Sequence, residues 1–581
     1  MGQLHVSAGI CTRSSLAFGA LIAIAACTTA VPPRPMAADP AAACAVLAAS
    51  VDAAAIGLPT RGVTIESASF VAASAEAATN PLPFVPPPPE AVIVPAMPSH
   101  CRVVGRIAPV DPAAPPIRFQ VNLPDDWSGR YLQLGGGGFN GVLINGLSLP
   151  PGARIDKPSP LMRGFVTAGT DSGHVNMPGV ALQAFALNDE ALENFSHASY
   201  KKVHDVAVEL MKRRYGKAPD KLYFMGSSEG GREALTMAQR YPGDFDGIFA
   251  RAPVINWTGL QAAGTRMGTT QMGAGWLSPA HVKLVHDAVL AQCDRLDGLA
   301  DGVINDYEGC RRVFDVSVLR CPAGTSGMTS CLVDAQIDAV RTLHAPYAFD
   351  FQLANGQIAY PGWGYGGEAA AGTGPVGGYV SWQTGTAPQV LPAGPTSSRA
   401  WLYGSGAIQY FYLRDANGDP RNFQPAAHAA QVRRVSALMD STDPDLSAFA
   451  RRGGKLVVSE HMADYAQSPY AGIEYWKSVV ERMGRGPTDE FMRLYVTPGA
   501  DHVGTGAPTM IDMLDVLVSW VERGRAPGDL VQVSLLDVPP HGETKSRPMC
   551  RYPTYPRYVG AGGVSDANTV ASFECSTPIR P

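Results

Sequence analysis

The sequence predicts an α/β protein: a mostly parallel sheet covered by helices on both faces and interrupted by one long insertion. Three observations predict it. Short apolar strands alternate with amphipathic helices from about Gly129 to Ala250. The pattern fades between about Trp257 and Asp443, then resumes with Lys455–Val458. Alternation of this kind gives parallel strands joined by crossover helices.

The elements follow in order. Arg130–Leu134 is a short strand that runs into Gly135-Gly136-Gly137-Gly138, and Gly164–Thr170 is another, ending at Asp171-Ser172-Gly173-His174. Ser199–Tyr215 carries Val203, Val206, Val208, Leu210 and Met211 among charges, as an amphipathic helix does. Lys221–Met225 is a strand, Glu229–Arg240 a helix, and Gly247–Ala250 a further strand. The stretch after Trp257 is rich in glycine, proline and aromatics, so an irregular insertion is expected over the carboxyl ends of the strands. Beyond it come the strands Lys455–Val458 and Phe491–Val496, then the helix Met510–Arg523, with Ile511, Leu514, Leu517, Val518 and Val521 on its apolar side.

The ends of the chain concern export. Arg13 precedes an apolar run from Ser15 to Ala26, about a dozen residues and too short to span a bilayer. It ends Ile24-Ala25-Ala26-Cys27, which resembles a bacterial lipobox. Residues 1–27 are therefore expected to be an export signal, with Cys27 lipidated as an outer-membrane anchor, and 28–40 a tether of small residues and proline. An exported protein is expected, as a periplasmic or outer-membrane lipoprotein or a secreted one. Apart from Cys11 and Cys27, eight cysteines remain, an even number that suits disulfides in an oxidising compartment. Pairing sequence neighbours closes the shortest loops: Cys44 with Cys101, Cys293 with Cys310, Cys321 with Cys331, Cys550 with Cys575. Net charge is −5 with scattered Lys and Arg, which excludes a nucleic-acid binder. A monomer is expected.

The strongest chemical signal is Gly226-Ser227-Ser228-Glu229-Gly230, between a strand and a helix. In that setting G-x-S-x-G is a nucleophile elbow, which projects Ser228 above the sheet and aims the helix N-terminus at the site. An elbow of this fold takes its acid and then its histidine later in the chain. Of the histidines after Ser228 (His281, His286, His344, His428, His461, His502 and His541), His502 follows a strand and precedes the last long helix. His461 is its rival. Asp464, just past the strand Lys455–Val458, is the acid that orients His502, with Glu460 and Asp501 as alternatives. The glycine run supplies a backbone N–H at Gly138, which with that of Glu229 would form an oxyanion hole. Together these predict an α/β-hydrolase fold with a large lid inserted between nucleophile and acid. Residues 41–256 form the first part of the hydrolase domain, 257–443 the lid, and 444–581 the second part.

From about Cys101 to the C-terminus the chain resembles the tannase and feruloyl esterase family. The resemblance rests on Gly135-Gly-Gly-Gly-Phe-Asn-Gly141, Thr170-Asp-Ser-Gly-His174, Gly226-Ser-Ser-Glu-Gly-Gly-Arg232, Cys293-Asp-Arg-Leu-Asp-Gly-Leu-Ala-Asp-Gly302 and Pro498-Gly-Ala-Asp-His502. It implies a serine carboxylesterase acting on small esters of aromatic acids, feruloyl, galloyl or terephthalate. The alternatives are a hydrolase of the terephthalate monoester proper, a generic lipase or peptidase, and a binding protein that kept the fold and lost catalysis. Three carboxylates in one glycine-bearing loop (Asp294, Asp297 and Asp301) repel unless a hard cation neutralises them. The resemblance makes that cation a structural Ca²⁺ in the lid, and adds the backbone carbonyls of Leu299 and Val303 as ligands.

Two departures stand out. Many relatives carry a cysteine pair beside the triad, and here those places hold Ser227 and Val503. An arginine that faces the terephthalate carboxylate in the family is matched, by ungapped alignment, to Pro392, which predicts that uncharged aromatic esters are cleaved at least as well as the monoester. Arg399 and Arg414 are the lid arginines able to overturn that expectation. The lid aromatics Trp363, Tyr365, Tyr379, Trp382, Trp401 and Tyr403 are candidates to line an aromatic pocket.

Overall fold

The computed structural model describes residues 39–578, apart from 76, 80–91, 95, 325–326, 371–376 and 538. The export signal and Cys27 lie outside the described residues. Residues Ala41–Pro581 form one compact unit.

Its centre is a nine-stranded sheet. The strands are β1 (Val63–Val71), β2 (His100–Ile107), β3 (Ile117–Pro124), β4 (Arg130–Leu134), β5 (Phe165–Thr170), β6 (Lys221–Ser227), β7 (Gly247–Arg251), β8 (Lys455–His461) and β9 (Met492–Thr497). Their spatial order is β1-β2-β3-β5-β4-β6-β7-β8-β9. From β1 to β5 the neighbours run antiparallel. From β5 to β9 they run parallel. The parallel half matches the alternation in the sequence. The antiparallel edge was not foreseen, because its strands carry exposed polar residues in place of a continuous apolar run.

Helices cover both faces. On one side lie α1 (Ser199–Tyr215), α2 (Glu229–Arg240) and α8 (Tyr470–Met483), on the other α9 (Met513–Arg523). In α1 the buried residues Val203, Val206, Ala207, Leu210 and Met211 recur at helical spacing. It ends at Gly216, whose φ of 74° is a left-handed cap that glycine adopts freely. The last helix starts later than Met510, at Met513, because the Asp512 carboxylate accepts from the Asp515 N–H and caps it there.

The insertion holds more helix than its composition suggests, set among irregular stretches. It contains α3 (Trp257–Thr270), α4 (Pro279–Cys293), α5 (Asp334–His344), α6 (Arg399–Ala407) and α7 (Ala429–Met439). Its glycines serve helix packing. A Cβ on Gly264 would lie 3.0 Å from the Ala400 carbonyl, and one on Gly404 2.7 Å from that of Gln261, so α3 and α6 meet almost backbone to backbone. Much of the insertion's apolar side-chain area packs into two buried clusters. After β9 come two hairpins, β10 (Leu530–Leu535) with β11 (Glu543–Met549) and β12 (Tyr555–Tyr558) with β13 (Phe573–Ser576).

The eight cysteines pair as neighbours in sequence: Cys44–Cys101, Cys293–Cys310, Cys321–Cys331 and Cys550–Cys575. No described helix is long and apolar enough to cross a membrane.

Candidate active site

The carboxyl ends of β4, β6, β8 and β9 bring the predicted residues to one point. Ser228 sits between β6 and α2 at φ 61° and ψ −123°, the sharp turn of an elbow. Two glycines make that turn possible. A Cβ on Gly226 would lie 2.1 Å from the Gly230 carbonyl oxygen, and one on Gly230 2.7 Å from that of Gly136. The Ser228 N–H donates to the Arg251 carbonyl on β7, and its own carbonyl accepts from Gly231, Arg232 and Val254. These bonds hold the turn in its strained conformation.

His502 Nε2 lies 2.9 Å from Ser228 Oγ, and its Nδ1 lies 2.6 Å from Asp464 Oδ2. Asp464 is 1% exposed. Its Oδ1 accepts from the backbone N–H groups of Ala466 and Gln467, at 2.7 and 3.0 Å, and its Oδ2 also from Gln467 Nε2 at 3.3 Å. Donors therefore surround the carboxylate on both oxygens. The rival residues are elsewhere engaged. His461 donates from Nδ1 to the Asp501 carbonyl at 2.6 Å and receives Arg251 Nε at 3.4 Å. Burial pushes its pKa well down, so it is a neutral prop beneath the His502 loop. The Asp501 carboxylate accepts from the N–H groups of Val503, Gly504 and Thr505 and from the Thr505 hydroxyl, shaping that loop. Glu460 is buried against Gln467, and burial pushes its carboxyl well up.

A cavity of about 240 Å³ opens above Ser228. Gly138 and Glu229 both line it. Neither N–H has an acceptor among the described residues' hydrogen bonds, as an oxyanion hole requires. The walls are Phe139, Trp257, Trp382, Tyr403 and Tyr465, with Gln261, Gln467 and Arg399 as polar members. Of the lid aromatics picked from sequence, Trp382 and Tyr403 reach the cavity. Trp363, Tyr379 and Trp401 are buried in the lid's own packing, and Tyr365 packs against His344 and Phe314. Tyr465 and Trp257 were missed; they flank the acid and begin the lid.

The position matched to the family's carboxylate-facing arginine lies away from the cavity. Pro392 is exposed and does not line the cavity, whereas Arg399 does. The Arg399 guanidinium lies 5.5 Å from the Trp382 ring centre and has no carboxylate partner among the described residues. Arg414 is occupied with the Ala186 and Leu187 carbonyls and with Asp189.

The acidic loop follows α4, stapled by Cys293–Cys310. Val303 presses on the His502 loop: a Cβ on Gly499 would lie 2.6 Å from its Cγ1. Asp294 accepts from the Gly302 N–H, Asp301 from Val303 N–H and Arg547, and Asp297 from Leu299 N–H and Asn305. Among the described residues, no three metal-binding side chains converge on one point. The donor chemistry still fits a hard cation. Asp297 is 2% exposed, and burial, reinforced by Asp301 and Asp294, pushes its carboxyl up to about 6. The Leu299 and Val303 carbonyls accept no described hydrogen bond.

The comparisons with known proteins agree with this geometry. An uncharacterized esterase of Agrobacterium fabrum is 35% identical, covering 92% of each chain. The mono(2-hydroxyethyl) terephthalate hydrolase of Piscinibacter sakaiensis is 32% identical, over 83% of this chain and 86% of that protein. Among solved structures, feruloyl esterase B from Aspergillus oryzae superposes with a TM-score of 0.71 at 26% identity, over 92% of this chain and all of that one. The family model for tannase and feruloyl esterase matches residues 101–575. With an α/β-hydrolase sheet, a serine elbow and that match, the chain belongs to the tannase and feruloyl esterase family of carboxylic ester hydrolases.

Proposed function

We propose that the protein is an exported serine carboxylesterase that hydrolyses esters of aromatic acids through an acyl-enzyme. The observation that carries this reading is the relay from Asp464 through His502 to Ser228, at 2.6 and 2.9 Å, on the floor of an aromatic cavity. His502 Nε2 takes the Ser228 proton as Oγ attacks the ester carbonyl, and Asp464 stabilises the imidazolium. The carbonyl oxygen gains negative charge facing the Gly138 and Glu229 N–H groups. The proton passes from His502 to the leaving alcohol, and water then repeats the sequence on the acyl-enzyme. A fluorophosphonate probe should label wild type at Ser228, and Ser228→Ala should lose both labelling and at least three decades of kcat while folding normally. Retention of more than about a tenth of wild-type activity would remove Ser228 from the role.

A second reading of the substrate is favoured by Arg399. An unpaired guanidinium in a partly buried wall is matched by an anion, so aromatic diacid monoesters, terephthalate among them, join methyl ferulate and methyl gallate as substrates to screen. Calcium is proposed in the acidic loop, held by Asp294, Asp297 and Asp301 with the Leu299 and Val303 carbonyls. Its chemistry there is charge neutralisation that stabilises the lid. Four disulfides suit the oxidising compartment that export through residues 1–27 would reach. Lipidation at Cys27 remains part of this proposal, with metabolic labelling by a palmitate analogue as its check.

A further inference from the structure

We propose that Glu233 and His174 are positioning residues for acyl transfer, which hold the glycine loop 135–141 in the shape that presents the Gly138 N–H to the cavity beside Ser228. The proposal rests on the esterase reading of that site.

A run of four glycines has no side chains with which to pack. A Cβ on Gly137 would meet nothing within 4 Å, so apart from the buried Phe139 ring the loop relies on polar bonds. Those bonds converge on two buried residues from elsewhere in the chain. Glu233, on α2 and 0% exposed, accepts from the Gly136 N–H at 2.9 Å, from Asn140 Nδ2 at 2.7 Å and from the Tyr200 hydroxyl at 2.7 Å. Asn140 in turn accepts the Gly137 N–H at 2.6 Å and donates its second amide hydrogen to the Tyr200 oxygen at 2.9 Å. The fit is close enough to dictate the glycines. A Cβ on Gly135 would lie 2.7 Å from Glu233 Oε2, and one on Gly136 2.0 Å from Asn140 Oδ1.

His174 holds the other side. Its Nε2 lies 2.7 Å from the Phe139 carbonyl oxygen, and a carbonyl only accepts, so the ring carries its proton on Nε2. The ring is 3% exposed, stacks on Phe185 at 3.8 Å, and burial pushes its pKa down to about 4, which keeps it neutral. Ser172, at φ 62°, makes the turn after β5 that delivers it. Asn176 Nδ2 donates to the Asn140 carbonyl at 2.7 Å, closing the loop. Between Gly136 and Gly141, the N–H groups of Gly136, Gly137, Asn140 and Gly141 are thereby satisfied. Those of Gly138 and Phe139 have no described acceptor, and both residues line the cavity. Among the described residues, the loop N–H groups without an acceptor are those of two residues that line the cavity. This is preorganisation: donors fixed before charge develops need no rearrangement when it does.

The test uses the full-length protein. His174→Phe keeps the ring and its stack but removes the donor. It should lower kcat ten- to a hundredfold, below the ~10²–10³ cost of deleting an oxyanion donor outright, with KM within about threefold. The inhibition constant of phenylboronic acid, a tetrahedral adduct of the serine, should rise by the same factor as kcat falls. His174→Gln, which restores an N–H at that distance, should recover most of the loss, and Glu233→Gln should show the same split. If His174→Phe does not fold, the partly exposed Asn176→Ala releases the Asn140 carbonyl and should show the split at smaller scale. An unchanged kcat in these variants, with Ser228→Ala inactive, overturns this proposal and leaves the esterase reading standing. A fall in kcat that tracks a fall in Tm, without rescue by Gln, also overturns it in favour of a purely structural role. An active Ser228→Ala sinks the esterase reading itself.

Discussion

Replacing Asp464 by asparagine sets two orientations of one amide against each other, and the structure decides between them. The carboxylate's Oδ1 accepts two buried backbone N–H groups, while its Oδ2 faces His502 Nδ1. If the amide oxygen turned toward His502, its NH₂ would meet the N–H groups of Ala466 and Gln467. Two buried donors would lose their acceptor, at about 1–3 kcal/mol each. The other orientation keeps both backbone bonds and turns the NH₂ to His502. The imidazole then carries its proton on Nε2, a change of tautomer that costs far less. That proton points at Ser228 Oγ, 2.9 Å away, so His502 no longer accepts the serine's proton. Asp464→Asn should therefore fold with a near-normal Tm yet lose about four decades of kcat, some 5.5 kcal/mol. Steady-state hydrolysis of methyl ferulate or a nitrophenyl ester reads the loss, and circular dichroism with thermal melting fixes the folded fraction. A folded variant that keeps more than about a tenth of wild-type kcat would show that Asp464 does not set the tautomer.

Other variants test the remaining parts. Gly226→Ala should destabilise the fold by about 3 kcal/mol or more, measured in urea, because its Cβ meets backbone at 2.1 Å, whereas Gly137→Ala should be near neutral; equal effects would refute the steric account of the elbow. Asp297, its carboxyl raised from 3.8 to about 6, contributes stability that is present below about pH 4 and lost as the pH rises through 6, about 3 kcal/mol in metal-free protein. Asp297→Asn should thus stabilise metal-free protein at pH 7 and abolish the Tm rise caused by calcium. A calcium response equal to wild type, or an undialysed preparation without calcium by elemental analysis, removes the site. Arg399→Gln should lower kcat/KM for the terephthalate monoester by about ten- to a hundredfold relative to an uncharged methyl ester; a ratio that does not move frees Arg399 of that role.

Residues whose signals are local were legible in the sequence. The helices Ser199–Tyr215 and Glu229–Arg240 match their predicted bounds, because period, caps and breakers lie within one window. Ser228, Asp464 and His502, which lie together in the structure, could be singled out because the fold fixes the order of such residues along the chain. What was missed depends on distance or on context. Gly259, Gly264 and Gly268 made α3 look like loop, since glycine signals a turn unless a second helix presses on it. Glu233, Tyr200 and Asn140 carry no local mark, because they meet across 33 to 93 residues of sequence. Sequence offered Arg399 and Arg414 alike as lid arginines, and only the packing of the lid places Arg399 at the cavity and Arg414 away from it.

The placement of the lid also sets the order in which the protein can assemble. Strand β7 ends at Arg251, and its sheet partner β8 begins at Lys455. A chain emerging N-terminus first therefore presents β1 to β7 long before the neighbour of β7 exists. At about 5–20 residues per second, the intervening stretch takes on the order of ten to forty seconds to appear. For that interval the five buried residues of β7 form an open, apolar edge of the kind that pairs with other chains. The insertion that shapes the cavity is thus also a delay in closing the sheet, and β8, which leads into Asp464, both covers that edge and brings the acid. Nascent chains thus expose that edge until β8 arrives, and they stay inactive until His502 has followed β9.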